Sequence, residues 1–235
     1  MEEMKPGVEE WVPRTKLGRD VLEGKITSLD QIFREGKKIT EPEIVDLLLP
    51  NLEHELILIG GTPGKGGGIR RTPARRTARM HKSGRRYKMT CMAVVGNRNG
   101  YIGCGQGSGT EFRDAIEKAI KDAKMNIFPV RRGCGSWECE CGTPHSIPAQ
   151  TTGKAGSVRT VLKPAPKGVG LVVSDEVKKL IQLSGIKDIW SKTYGQTQTR
   201  INLIKATVNA FKNLNKLKIT EDFKKRSGMI TGEGV

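Results

Sequence analysis

The sequence is short of the groups most enzymes depend on. Three histidines stand in 235 residues, and aromatic residues make up 5% of the chain. Imidazole chemistry therefore has only His54, His81 and His145 to draw on, and no Ser/His/Asp or Cys/His grouping surrounds His54 or His81. No run approaches the roughly 18 uncharged apolar residues that a membrane span needs. The first residues, MEEMKPGVEEWVPR, are acidic and lack the apolar centre of a secretory signal. The five cysteines are an odd number, which argues against a closed disulfide framework and for a reducing, cytoplasmic compartment. No internal repeat is present.

Two glycine tracts invite a nucleotide reading and fail it. In Gly60-Gly61-Thr62-Pro63-Gly64-Lys65-Gly66 three residues, not the four of a P-loop, separate Gly60 from Gly64. Gly66 stands where a magnesium-binding hydroxyl belongs. In Gly103–Gly109, Ser108 takes the place of the third dinucleotide-binding glycine. The plainer expectation there is a flexible strand-to-helix turn whose amides can meet a phosphate. An enzyme is not expected.

What the chain has in excess is positive charge, unevenly placed. The net charge is +16, yet residues 1–60 hold 8 Lys/Arg against 13 Asp/Glu, a net of −5. From 65 to 88 run ten basic residues and no acid: Lys65, Arg70, Arg71, Arg75, Arg76, Arg79, Lys82, Arg85, Arg86 and Lys88. Such crowding is relieved by a phosphate polymer, which sheds counterions as it is neutralised. Seven of the ten are arginine, whose planar fork matches phosphate oxygens. A solvated basic loop or a localisation signal is the bland alternative.

Apolar periodicity places the elements. Capping-box spacing at Ser28–Gln31 and again from Thr40 predicts short helices, the second ending at Pro50. Residues 55–59 read as a strand, 60–88 as a long basic loop, and 87–95 as a strand buried on at least one side. Asn99-Gly100 predicts a hairpin returning through Tyr101–Cys104. Thr110 is placed to cap a helix with Phe112, Ala115, Ile116, Ala119, Ile120 and Ala123 on its apolar face. Pro129 and the turn at Arg131-Arg132-Gly133 mark a boundary, beyond which strands are expected near 145–151, 157–163 and 169–173. A helix capped by Ser174 spans Asp175–Leu183. A strand follows over Ile186–Lys192, and a helix from Thr199 with Ile201, Ile204, Val208 and Phe211 inward. The polar tail 216–235 has little to bury and is expected to be mobile alone.

One cluster carries metal chemistry. Cys134, Cys139, Cys141 and His145 lie within twelve residues, and three thiols with an imidazole can close a tetrahedral zinc site. The C-x4-C-x-C-x3-H spacing is not that of a paired knuckle. A surface loop of reduced cysteines and a redox pair remain open alternatives. Four protein ligands would leave no open position, so a bound metal would clip the loop rather than catalyse. Cys91 and Cys104 fall on strands and are expected in the core.

The segments AVVGNRNGYIGCGQGSG, AIEKAIKDAKMNIFPVRRG, KAGSVRTVLKPAPKGVGLV, IWSKTYGQT and KATVNAF resemble the universal small-subunit ribosomal protein family numbered five in bacteria and two in eukaryotes. EWVPRTKLGR and RRG…PHSIP are similar to its archaeal and eukaryotic branch. The cysteines at 134, 139 and 141 depart from the eukaryotic pattern, so zinc is not carried over from there. The resemblance implies an α+β chain: an acidic extension (1–52), a double-stranded-RNA-binding-like domain (53–127) with its basic loop (60–88), a small split β-α-β domain (128–215) and a tail (216–235). It implies a structural constituent of the small ribosomal subunit that binds rRNA near the channel where messenger RNA enters. That position lies beside ribosomal protein four and bears on assembly and translational accuracy. The ten basic residues of the loop, with Arg131 and Arg132, then become RNA contacts. Gly156, Ser157 and Arg159, with Lys163 and Lys167, become a protein contact. A free RNA chaperone or translational regulator on the same fold is the alternative function.

Overall fold

The computed structural model describes residues 11–64, 66–139 and 141–232. Lys65, the first ten residues of the acidic extension and the last three of the tail lie outside the described residues. The described residues form a mixed α+β fold. No helix among them is long and apolar enough to cross a membrane.

Three short helices lead in: α1 (Lys16–Leu22), α2 (Leu29–Arg34) and α3 (Pro42–Leu48). Thr15 caps α1, its hydroxyl accepting from the Gly18 amide at 3.1 Å. Neither predicted cap makes its side-chain bond. Ser28 stands at its N-cap without a side-chain bond. Thr40 gives way to Glu41, whose Oε1 instead accepts the Arg14 and Thr15 amides at 3.1 and 2.7 Å. Ile32, Ile44 and Val45 are fully buried against Tyr101 and Ile127, at roughly 1.5–3 kcal/mol per large side chain.

The first sheet follows. Its strands are β1 (Glu53–Leu56), β4 (Ala74–His81), β5 (Gly84–Gly96), β6 (Tyr101–Gly109) and β7 (Ile127–Pro129), after the small hairpin β2 (Gly60–Pro63) and β3 (Ile69–Thr72). Helix α4 (Phe112–Met125) lies between β6 and β7, with Glu111 rather than Thr110 at its N-cap. The order is β1-β5-β6-β7. β4 shares one edge of β5 with β1: Ala74 opposes Cys91, and Leu56 opposes Ala93. Strand β5 is buried on both faces at its C-terminal end. Cys91 and Ala93 meet α4, while Met92 and Val94 enter the main core.

Two expectations are corrected here. The run 60–88 is not a loop. It forms β2–β3, β4 and the first part of β5, because backbone pairing begun in the buried half of β5 continues outward through Thr77, Ala78 and Tyr87. The glycines at 103, 105 and 107 are not a turn. They belong to β6 and face the Ala115/Ala119/Ala123 stripe of α4 so closely that a Cβ on Gly105 would lie 2.1 Å from the Ala123 nitrogen. The Asn99-Gly100 turn joins β5 to β6 as predicted.

The second half opens with β8 (Arg131–Arg132), then β9 (Thr151–Ala155), β10 (Val158–Pro164), β11 (Leu171–Val172), α5 (Asp175–Ser184), β12 (Ile189–Tyr194) and α6 (Arg200–Asn215). Its four-stranded sheet has the order β11-β12-β10-β9. β11 and β12 are parallel neighbours joined by α5, so no strand splits that β-α-β unit, contrary to the expectation. Residues 145–150 are not a strand: Pro144 and Pro148 offer no amide to a ladder, and only Ser146 bridges, to Gly133. The strand expected from Ile186 begins at Ile189, because the Lys187 and Asp188 amides are taken by the His145 carbonyl.

One apolar cluster joins Met92, Val94 and Ile102 of the first sheet to Leu162, Leu180, Leu183, Ile204 and Phe211 of the second half. Across that seam Arg200 Nη1 reaches Glu176 Oε1 at 2.6 Å and the Leu58 carbonyl at 2.8 Å. The Leu58 amide donates to Glu176 Oε2 at 3.0 Å. The described part of the tail is docked, not loose. Helix α7 (Glu221–Ser227) is closed by Gly228 at φ +56°, and β13 (Ile230–Thr231) pairs with β8.

Candidate nucleic-acid interface and metal cluster

Strands β4 and β5 leave the sheet together as a two-stranded arm. Its register runs from Arg75 opposite Thr90 to His81 opposite Gly84, with Lys82 and Ser83 at the tip. These seven pairs span roughly 23 Å. Residues 75–88 are exposed. Pleating sorts them. Arg75, Arg79 and His81 share a face with Lys88 and Arg86, while Arg76, Ala78 and Met80 share the other with Met89, Tyr87 and Arg85. The first face is a cationic strip. The second adds Met80, 67% exposed, and Tyr87, whose ring lies 4.4 Å under the Arg76 guanidinium. Arg79 directly opposes Arg86, a like-charge pair that costs the isolated arm stability.

Arg70 and Arg71 lie on exposed β3 in the neighbouring hairpin, which packs its Gly60 against the Ala74 carbonyl. Thus the described part of the basic run is presented to solvent on two hairpins.

Arg131 and Arg132 do not join them. Arg132 is 7% exposed, and its guanidinium donates to the Asn99 carbonyl, Asn99 Oδ1 and the Gly232 carbonyl at 2.8–3.2 Å. Arg131 donates to the Leu214 and Leu217 carbonyls at 3.2 and 2.7 Å. Both guanidiniums hold the C-terminal segment; Arg132 is buried rather than presented to solvent as expected, while Arg131 is only half-buried.

Gly156 and Ser157 form the turn between β9 and β10, with Gly156 at φ +60°. Arg159 and Lys163 point away from the core on β10, and Lys167 is exposed beyond it. On that same outer face β9 contributes Lys154 and β12 contributes Trp190, Lys192 and Tyr194. These neighbours were missed in the sequence. The two-residue spacing of Trp190, Lys192 and Tyr194 on one strand is the signal that would have found them.

The cysteine loop closes on itself. The ligand atoms of Cys134, Cys139, Cys141 and His145 all lie within 4.8 Å of one another, so this cluster can hold a metal ion. Cys134 is buried, and burial raises its thiol to about 11. The Thr143 hydroxyl, 3.1 Å from Cys141 Sγ, lowers that thiol to about 6. Cys91 is fully buried and Cys104 partly so, the latter pushed up to about 12 by burial. The residue overlooked in the sequence is Asp188, whose Oδ2 lies 2.8 Å from His145 Nδ1.

The described residues form a mixed α+β scaffold that carries its densest positive charge on an exposed hairpin arm. The particular family is shown by comparison. Residues 73–131 match the model of the ribosomal protein S5 N-terminal domain, and residues 153–226 match that of the ribosomal protein S5 C-terminal domain. Among curated relatives, the small ribosomal subunit protein uS5 of Nanoarchaeum equitans is 48% identical over 96% of each chain. That of Methanothermobacter thermautotrophicus is 49% identical over 95% of this chain and 97% of its own. That of Methanocaldococcus jannaschii is 48% identical over 97% and 99%. This chain belongs to the ribosomal protein S5 family.

Proposed function

We propose that this protein is a structural constituent of the small ribosomal subunit and that it grips rRNA with the β4–β5 arm and the adjoining β2–β3 hairpin. The observation that carries the reading is the exposure of Arg70, Arg71, Arg75, Arg76, Arg79, Arg85, Arg86 and Lys88 on paired strands, with Lys82 exposed at the tip between them. A rigid ribbon displays guanidinium groups at fixed intervals, which suits A-form RNA read by backbone and shape. Helix α3, strands β1, β5 and β6, and helix α4 follow the order of a double-stranded-RNA-binding fold, which supports that description of the first half. In this reading the arm lies near the channel where messenger RNA enters, and it contributes to assembly and translational accuracy in the cytoplasm. The turn Gly156-Ser157 with Arg159, Lys163 and Lys167 faces a neighbouring protein, ribosomal protein four.

The metal of the cysteine cluster is zinc in this reading. Three thiolates and an imidazole are a soft donor set that selects it over magnesium or calcium. With four protein ligands it is structural.

The test of RNA binding is the salt dependence of affinity for a structured rRNA fragment. Replacing Arg75, Arg79, Arg85 and Arg86 by Ala lowers the slope of log K against log salt by close to one unit for each phosphate left without its arginine. The same variant sediments less with small subunits. An unchanged slope, or a wild-type chain that stays in the supernatant as a free chaperone would, overturns the reading.

A further inference from the structure

We propose that Asp188 is a positioning residue of the metal centre, setting the tautomer of His145 so that Nε2 is the ligand atom. This inference rests on the zinc reading above and names the residue through which the cluster is tied to the second sheet.

The geometry is specific. His145 and Asp188 are each 6% exposed in their side chains, with Nδ1 2.8 Å from Oδ2. A carboxylate only accepts, so Nδ1 carries the proton and Nε2 keeps its lone pair. Nε2 faces the thiols, 4.0 Å from Cys139 Sγ. A tetrahedral ion with bonds of roughly 2.0–2.3 Å would draw these two atoms slightly together. Asp188 is itself fixed: its other oxygen accepts the Gly168 and Gly170 amides at 3.1 and 2.8 Å. The backbone repeats the link, since the His145 carbonyl accepts the Lys187 and Asp188 amides at 2.9 and 3.1 Å. A carboxylate behind a ligating imidazole also raises its basicity, and removing such a partner typically weakens metal binding 10–100-fold.

The arrangement extends beyond the loop. The Cys134 amide donates to the Ser227 carbonyl at 2.8 Å, so the cluster stands between the end of α7 and the start of β12. Asp188 joins the metal to the β10–β11 connection, which it reaches through Gly168 and Gly170.

The experiment uses the full chain and zinc itself, competed against a chromophoric chelator. The wild type retains one zinc per chain. Asp188→Asn binds zinc about 10–100-fold more weakly. In an His145→Ala background, Asp188→Asn weakens binding no further, because no imidazole remains to orient. A weakening that persists in that background assigns Asp188 to loop structure and overturns the proposal, as does wild-type affinity in Asp188→Asn. A wild type that takes up no zinc overturns the zinc reading, and this inference with it, and is recognised before any variant is made. Should Asp188→Asn fail to fold, nitrogen-15 NMR of the zinc-loaded wild type decides: a protonated Nδ1 with a metal-bound Nε2 is expected, and the reverse assignment overturns the proposal.

Discussion

At the scale of single residues, the chain is governed by close approach. Position 105 requires glycine because α4 lies directly on β6: a methyl group there meets the backbone of Ala119 and Ala123 at 2.5 and 2.1 Å. Backbone cannot move aside as a flexible side chain can, so Gly105→Ala is expected to destabilise the protein by about 3 kcal/mol. A chemical melt checks this, with Gly66→Ala, where the added carbon meets nothing within 4 Å, as the neutral control. The thiols give a second expectation. Full burial of Cys91 and the raised thiol of partly buried Cys104 withhold both from alkylation in the folded protein, and in the zinc reading the metal withholds Cys134, Cys139 and Cys141. Mass spectrometry after brief alkylation should count up to three additional modified cysteines once zinc is stripped by a chelator, and none at 91 or 104. The four candidate ligands, which the fold gathers within 4.8 Å of one another, were legible from spacing. Asp188 was not, being 43 residues from the histidine it bonds.

At the scale of elements, the arm shows how composition can hide structure. Arginine and glycine density across 60–88 suggested a loop, yet Thr77, Ala78 and Tyr87 pair across a regular ladder. The ladder survives because it is seeded where Cys91 and Met92 are wholly buried. The arm contributes charge but little apolar burial. Replacing Thr77–Lys88 by an Asn-Gly turn should therefore shift the melting temperature by no more than about 2 °C, while RNA affinity falls. Differential scanning calorimetry and a binding titration on the same sample check both halves of that statement. The C-terminal tail makes the opposite point. Its polar composition suggested mobility, but its stability comes from backbone partners elsewhere: β8 supplies a strand edge, and Arg131 donates to the Leu214 and Leu217 carbonyls.

At the scale of the whole molecule, two sheets share one core. The apolar cluster runs from Met92 to Phe211 without interruption, and Arg200 with Glu176 spans the seam beside Leu58. Glu176 is 6% exposed, so removing Arg200 leaves a buried carboxylate with only the longer Lys179 contact at 3.9 Å and the Leu58 amide. Arg200→Ala is expected to cost about 3 kcal/mol. With the core continuous, unfolding should remain a single transition, calorimetric and van't Hoff enthalpies agreeing. Two separated transitions would show that the halves are energetically independent.

Read alone, the amino-acid order settled the α+β character, most helices, the hairpin at Asn99-Gly100, the basic segment and the four candidate metal ligands. Each is a local matter of period, turn chemistry or charge density. Tertiary structure decided the rest: that the basic run is a paired arm, that the glycines of β6 make room for a helix, that Arg132 points inward, and that Asp188 stands behind His145. All four depend on which backbone or side chain arrives from far along the chain, and no local pattern encodes that arrival.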